Sequence, residues 1–468
     1  MTKVRRYIFA IALVGAGLPV PNEFGESPWL RGGLYADIPS KFGLSAWQTS
    51  MSGAGSARLN DASATYFNPA GLTAPGSIAV AQKSHELLSG FGFQKPQMSI
   101  NTTNASALAK HNAGIGQNIR TFTLMNVGFA FDLRSFFRIY KDIPVRLGIM
   151  AALVGPGSSG EAQDIASVTE ESGKFYSFRG MGREAVKPNV AAALSVQPLP
   201  YLSVGVGMNV SAGVTGTLYM HKMYTDTRPP ISETYLDVKL RPSLLAGVQF
   251  SMPLKRYQRI SAGLSYRQEN FLPADVNVDV MLPKIDLFTL RHQTALQIMT
   301  FYEPHTVTLG LGYAWRIYSL YLDAEYQAWS QFSRGKTRYL LEGLPNFKDA
   351  FAIKSGFAID FPWYEIKART GYGFISAFTP DQTGITNYLD NDKHILSIGV
   401  GKFFQKLPES LAPDSLSVNI ELSFQWQYWK ERKTVKTIQD PLADGTFQPN
   451  YFYGGNLYIF QLTITAYL

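Results

Sequence analysis

The sequence predicts an all-β protein, a transmembrane antiparallel β-barrel of about 14 strands, and three observations carry that expectation. Apolar and polar residues alternate with period two from about residue 76 to the end of the chain. Many alternating segments reach ten residues or more, the length that a tilted strand needs to cross a bilayer, against about 5–6 in globular sheets. Charged residues make up only 17% of the 468 positions, while Gly (41), Tyr (25) and Phe (30) are plentiful, so the surface is short of charge.

Taken in chain order, the first element is a leader. Residues 1–16 combine a basic start (Lys3, Arg5, Arg6), an apolar run from Tyr7 to about Val14 and small residues after it, the pattern of a secretory signal peptide. Its removal takes the formal charge from +8 to nearer about +5. Cysteine is absent, which excludes a disulfide framework and a thiolate metal site. No later stretch has ~20 uninterrupted apolar residues, so the chain offers no transmembrane helix.

The strands follow. In "LSVNIELSFQWQYW" (416–429), Leu416, Val418, Ile420, Leu422, Phe424, Trp426 and Tyr428 share one face, and Ser417, Asn419, Glu421, Ser423, Gln425 and Gln427 the other. In "LYLDAEYQAW" (320–329), Leu320, Leu322, Ala324 and Tyr326 oppose Tyr321, Asp323, Glu325 and Gln327. "SVGVGMNVSAG" (203–213) behaves alike, and the pattern recurs around 120–133, 143–153, 187–197, 234–254, 259–268, 305–315, 350–361, 364–374, 394–404 and 456–468, with a further segment around 76–83.

Alternation alone also fits a soluble sandwich, so the chemistry of the two faces decides. The non-apolar face is Gly, Ser, Asn, Gln and mixed charges, which suits a watery lumen rather than a packed core. Aromatic residues gather near strand ends, with Tyr313, Trp315, Trp329, Tyr428, Trp429 and Tyr467 expected in interfacial girdles. Short connections such as 197–201 and Arg316-Ile317 contrast with long ones at 154–186, 330–349, 375–393 and 430–455, as at the two rims of an outer-membrane barrel. In lipid every backbone donor and acceptor needs a protein partner, so the strands must close on themselves.

Ahead of the strands lies "FGLSAWQTSMSGAGSARLNDASATYFNPAGLT" (42–73). Pro69 fixes φ and removes a donor, and Asn68 can bond back to the local backbone. Gly71 is expected to permit unusual dihedrals. Such a segment holds a rigid bend where no sheet partner exists, although an isolated NPAG is usually an ordinary surface turn. The run Gly53, Gly55, Ala57, Asp61-Ala62-Ser63 leading into Asn68-Pro69-Ala70-Gly71-Leu72-Thr73 resembles the N-terminal signature of the FadL/TodX family of outer-membrane transporters for long-chain fatty acids and other hydrophobic compounds. Weaker echoes extend to "HTVTLGLGYAW", "LYLDAEYQAWSQF", "IKSGFAIDFP" and "TPDQTGITNYLDNDKHILSIGVG". The resemblance implies a 14-stranded barrel in residues 74–468, with residues 17–73 as a lead-in and hatch (plug) inside the lumen and Asn68, Pro69, Ala70 and Gly71 at the gate. It also implies ligand passage through the hatch or sideways through a gap in the wall. The lead-in at 17–41 is longer than the family pattern, and the chain ends in Leu468 rather than an aromatic residue.

On the polar parity of the strands lie Asp237, Lys239, Arg241, Arg267, Asp323, Glu325, Lys354, Lys367, Arg369 and Glu421. Lys239, Arg241, Arg267, Lys354, Lys367 and Arg369 are candidates to meet a ligand carboxylate, against the plainer expectation that they pair with neighbouring acids. The apolar "LLSGFGFQ" (87–94) could line a pocket or face lipid. Enzyme classes fit poorly: the histidines at 85, 111, 221, 292, 305 and 394 show no HExxH spacing, and there is no GxSxG elbow or Walker loop. "DNDKH" (390–394) lacks the glycine and glutamate of a calcium loop and reads as a solvated loop. The expected function is passive uptake of hydrophobic compounds (fatty acids or hydrocarbons) across the bacterial outer membrane by a monomer. No cofactor, metal or nucleic acid is expected, and outer-membrane lipids are its surroundings. The alternative is a barrel that serves as an attachment or assembly partner for another outer-membrane protein, docking through loops such as 430–455.

Overall fold

A computed structural model describes residues 34–37, 45–75, 77–82, 84–103, 122–135, 143–154, 165–167, 175–178, 189–221, 231–283, 289–335, 346–381, 383, 388–405, 417–437 and 450–468. Fourteen strands close into a barrel: β1 (Glu86–Thr103), β2 (Phe122–Asp132), β3 (Val145–Val154), β4 (Asn189–Leu199), β5 (Leu202–His221), β6 (Ile231–Lys255), β7 (Gln258–Arg267), β8 (Thr306–Trp315), β9 (Tyr318–Gln327), β10 (Ala350–Phe361), β11 (Ile366–Ile375), β12 (Lys393–Phe404), β13 (Ser417–Thr434) and β14 (Asn450–Tyr467). Each pairs antiparallel with its neighbour in the chain, and β14 closes on β1 from Glu86↔Tyr467 to Thr103↔Asn450. Closure leaves no edge in the bilayer, as the chemistry of lipid requires.

Thirteen of the expected strands are present. The one expected around 76–83 is not: Ile78–Gln82 is a short helix, and the first strand is Glu86–Thr103, which takes in the 87–94 run. In that run Leu88 is buried and Phe91 faces outward. Between β7 and β8 the chain also inserts a hairpin, Asn270–Pro283 with Thr289–Glu303, whose first arm pairs parallel with the far end of β5. The strand Leu34–Asp37 pairs with its second arm.

The two faces are inverted relative to a soluble protein. On β9, Leu320, Leu322 and Tyr326 are exposed, while Ser319, Tyr321, Asp323 and Glu325 are buried. Likewise Leu309, Leu311, Ile398 and Leu422 point outward, and Ser261, Thr306, Lys354, Arg369, Glu421 and Gln425 point inward. The apolar outer band is bounded by aromatics. At the short-turn end Tyr201, Tyr257, Trp315, Tyr318, Trp363 and Tyr364 are exposed. At the other end Tyr326 packs on Phe351 at 5.2 Å, and Tyr372 OH meets His394 Nδ1 at 2.9 Å beside Tyr428. From Tyr318 to Tyr326 is roughly 26 Å along the strand, or on the order of 20 Å along the barrel axis, which matches an outer-membrane band.

Three expected girdle residues are elsewhere. Trp429 and Tyr467 lie on the inward parity of β13 and β14, and Trp329 lies beyond the end of β9; all three are buried. Trp329 stacks on Phe378 with centroids 4.1 Å apart, and Trp429 packs among Met98, Tyr451 and Tyr453.

The lining is not uniformly polar. From β1 to β6 the inward residues Leu88, Leu124, Ala130, Met150, Ala191, Ala193 and Leu245 form one apolar cluster with Leu59, Ala62, Ala64, Phe67 and Leu72 of the N-terminal segment. From β7 to β14 the lining carries the ion pairs Arg267–Glu303, Lys354–Glu325 and Arg369–Glu421, while the apolar side also holds a buried pair, Arg146 with Glu86. The interior therefore has a greasy sector and a charged one.

Leu322 sits midway between the two aromatic levels of β9. Leu322→Arg is expected to destabilise the barrel by about 2–4 kcal/mol, as measured by urea unfolding in lipid vesicles.

Candidate functional site

Residues 45–75 lie within the barrel, all but a few of them buried, and touch the inward faces of strands around the circumference. The segment has no sheet partner, so side chains satisfy its backbone. The Ala46 N–H donates to Thr463 Oγ1 of β14 at 2.9 Å, and Gln425 Nε2 of β13 donates to the Thr49 carbonyl at 3.2 Å. The Ser56 N–H donates to Asp323 Oδ2 of β9 at 2.9 Å, and Gln249 Nε2 of β6 donates to the Ala57 carbonyl at 2.6 Å.

Where no side chain reaches across, the backbone itself comes close to glycine. A Cβ on Gly263 of β7 would lie 2.5 Å from the Ser56 carbonyl oxygen, and one on Gly356 of β10 would lie 2.9 Å from Met51 Cβ. Gly371 faces the Met51 backbone, Gly399 faces Ser50, Gly205 faces Pro69 and Gly247 faces Asn68. The period-two glycines of the strands thus form a collar around the segment.

The NPAG residues are fully buried. Asn68 is extended (φ −153°); its Nδ2 donates to the Ser56 carbonyl at 3.0 Å, and its Oδ1 accepts from the Ala70 N–H at 3.3 Å. Pro69 opens the 3₁₀ turn Pro69–Thr73, where its missing N–H costs nothing. Gly71 serves close packing, not an unusual dihedral: its φ is not positive, and a Cβ there would lie 2.6 Å from the Leu59 carbonyl oxygen. Ser195 and Ser203 hold the outgoing limb, through Thr73 Oγ1 at 2.7 Å and the Thr73 carbonyl at 2.9 Å.

The DAS triplet is also anchored. Asp61 Oδ1 accepts from the Ser63 N–H at 2.9 Å and from the Ser63 hydroxyl, and the Ala62 N–H donates to Glu86 Oε1 at 2.7 Å. Glu86 pairs with Arg146 at 3.5 Å. Arg146 is fully buried and donates to the carbonyls of Leu72, Ser84 and Ala130. Sequence reasoning missed Arg146 and Glu86; the signal available was a charge on the inward parity of β3 and another at the start of β1. It also missed Tyr66, whose hydroxyl donates to Glu303 Oε1 at 3.2 Å.

Of the six candidate cations, Lys354 meets Glu325 at 2.9 Å, Arg369 meets Glu421 at 2.6 Å and Arg267 meets Glu303 at 3.9 Å, all buried. Arg267 also covers the Tyr66 ring, and Arg241 lies 3.3 Å above the Phe271 ring. Lys367 lies at the short-turn rim, half exposed, with Asp360 at 3.2 Å. The side chain of Lys239 lies outside the described residues.

The 390–394 run is not a solvated loop. Asp390 and Asn391 are fully buried: Asp390 accepts from the Phe378 N–H and from Lys393, and Asn391 donates to the carbonyls of Lys430 and Tyr453. Arg432 adds a bond to the Asp390 carbonyl. Among the described residues no group of three or more His, Cys, Asp or Glu side chains could hold a metal ion.

Two predictions follow from these contacts. Breaking the buried Arg369–Glu421 pair with Glu421→Gln should cost about 3–5 kcal/mol in urea unfolding, whereas the double apolar replacement Glu421→Met with Arg369→Met should recover most of that loss. Loss of hydration pushes the Asp61 carboxyl from 3.8 up to about 6, against the pull of the Ser63 hydrogen bond. The neutral acid is therefore favoured in place: seating of the segment is unpenalised below about pH 4 and weakens as pH rises toward about 6. Protease protection of residues 45–75 should be greater at about pH 5 than at about pH 7.5, and Asp61→Asn should flatten that dependence.

No family model matches the sequence, and no curated protein is similar to it in sequence. Among solved structures, a FadL homologue from Pseudomonas aeruginosa superposes with a TM-score of 0.57 at 13% identity, covering 92% of this chain and 99% of that one. The toluene transporter TodX from P. putida superposes at 0.47 with 11% identity, over 89% and 97% of the two chains. The closed barrel, with an apolar outer band and a lining that includes many polar and charged residues, has the build of a bacterial outer-membrane protein. At this identity the likeness is one of fold, and the chain has the fold of the P. aeruginosa FadL homologue.

Proposed function

We propose that the protein passes hydrophobic compounds, long-chain fatty acids or hydrocarbons, passively across the outer membrane, with residues 45–75 acting as a hatch that must shift for passage. The observation that carries this reading is the greasy sector. The segment meets β1 to β6 largely through apolar side chains, together with hydrogen bonds to Glu86, Arg146, Ser195, Ser203 and Gln249, and a displaced segment would open a route walled by Leu88, Leu124, Met150 and Leu245. The hydrogen bonds that seat it contribute about 0.5–1.5 kcal/mol each, and about 1.5–3 where the acceptor is the Asp323 or Glu86 carboxylate, so the segment can be released bond by bond while the barrel stays closed. The resemblance of 61–73 to the FadL/TodX signature supports the same role. Unbroken ladders from β14 through β1 to β4 in the described residues favour movement of the segment over sideways exit at that place. The ion pairs of the charged sector hold the wall in this reading.

Asn68→Ala removes both of its hydrogen bonds, a loss of about 1–3 kcal/mol that shifts the seated-to-displaced ratio roughly fivefold or more. Reconstituted in liposomes, the wild-type protein should admit a pyrene-labelled fatty acid faster than protein-free vesicles. Asn68→Ala and Pro69→Ala should change that rate while keeping heat-modifiable gel migration. No wild-type rate above the blank would sink the transport reading; a stable protein partner co-purifying without an uptake defect on deletion would favour the attachment role.

A further inference from the structure

The insertion between β7 and β8 does more than lengthen the rim. Leaving the end of β7, it crosses the inner faces of β6 and β5: the Arg241 guanidinium of β6 lies 3.3 Å from the Phe271 ring centroid, and Asn270 Nδ2 donates to Ser211 Oγ of β5 at 2.7 Å. Its first arm, at Val276–Met281, then takes the edge of β5 that β4 occupies lower down, where Asn189 pairs with Ser211. Part of the hairpin therefore lies across the long-loop mouth of the barrel. Near its end, Tyr302 rests on the rings of Phe332 and Trp329, with centroids 4.7 and 5.5 Å away.

The second arm holds the inner segment at two places. The backbone of Leu34–Asp37 pairs parallel with Met299–Phe301, and the Tyr66 hydroxyl donates to Glu303 Oε1 at 3.2 Å. Residues 45–65 run between these two ties. Tyr66 and Glu303 are both buried, and Arg267 stands beside them, 3.9 Å from the Glu303 carboxylate and 5.2 Å from the Tyr66 ring centroid.

Opening either element alone is penalised. If the inner segment moves and the hairpin stays, the buried Glu303 carboxylate loses a donor without gaining water; if the hairpin moves and the segment stays, the buried Tyr66 hydroxyl loses its acceptor. Moved together, both groups reach water and neither is stranded, which couples the two motions reciprocally. We propose that the 270–303 hairpin is an outer gate and that Glu303 is the positioning residue that ties it to the inner segment, so that the two open as one. The inference rests on the hatch reading and deepens it: passage takes one concerted opening in place of two successive ones.

The test reads backbone amide exchange by mass spectrometry on the purified full chain in neutral detergent. Tyr66→Phe keeps the ring beside Arg267 and removes the hydroxyl; it is expected to speed exchange roughly tenfold in residues 45–67 and in residues 289–303 alike. Faster exchange on one side only, or on neither, overturns the coupling. The chain has no cysteine, so Ser211→Cys with Asn270→Cys gives a single disulfide that fastens the hairpin to β5 away from Tyr66. When it is oxidised, exchange in residues 45–67 and liposome passage of a pyrene-labelled fatty acid are both expected to slow, and dithiothreitol to restore them. Heat-modifiable migration checks that each variant is folded. Slower passage with unchanged exchange makes the hairpin an independent gate and overturns the coupling. A wild-type protein that passes no fatty acid sinks the transport reading, and the exchange comparison still decides whether the two elements move together.

Discussion

Everything in this structure depends on one condition: inside a bilayer there is no water to bond to a backbone amide or carbonyl, so the protein must supply each partner. Among the strands, the β1–β14 ladder meets that condition by removing the last free edge. The N-terminal segment faces the same condition without a sheet, and meets it with side chains from the wall and its own asparagine. Asp323, Gln249, Gln425, Thr463 and Glu86 each take one of its amides or carbonyls. The polar lining is thus the bonding surface for a second, non-sheet piece of chain as much as a solvent-facing wall.

How far the sequence discloses this follows from what period two can encode. A strand with one face in lipid and the other in the lumen alternates strongly, so β8, β9 and β13 are legible residue by residue. Around β2 to β4 the inner face is apolar too, because it packs on Leu59, Phe67 and Leu72, so there the pattern gives the strands but not their lining. The 76–83 stretch has strand-like composition, yet Ile78–Gln82 within it is a helix outside the wall's ladder. The insertion at 270–303 was missed because strands that pair beyond the bilayer need no lipid-facing alternation.

The site was legible in part. The residues 61–73 stood out by order and spacing, but the reason for each emerged only with its partners: Gly71 for the carbonyl of Leu59, Asn68 for Ser56, Asp61 for Ser63. Arg146 carries no mark in the sequence beyond parity, and its role depends on three carbonyls from distant parts of the chain. The buried Asp390 and Asn391 look like loop residues in the sequence because their partners, Phe378, Lys430 and Tyr453, belong to other segments.

The glycine collar has a consequence for how this protein can change over generations. Alanine, serine, valine and aspartate are all one nucleotide away from glycine, and each would bring a side chain against main-chain atoms of the inner segment at Gly205, Gly263 or Gly371. Barrel walls ordinarily tolerate small substitutions on a wet lumen face. Here such drift is confined to the levels above and below the collar, so the rest of the bore can change while the seat of the inner segment stays fixed.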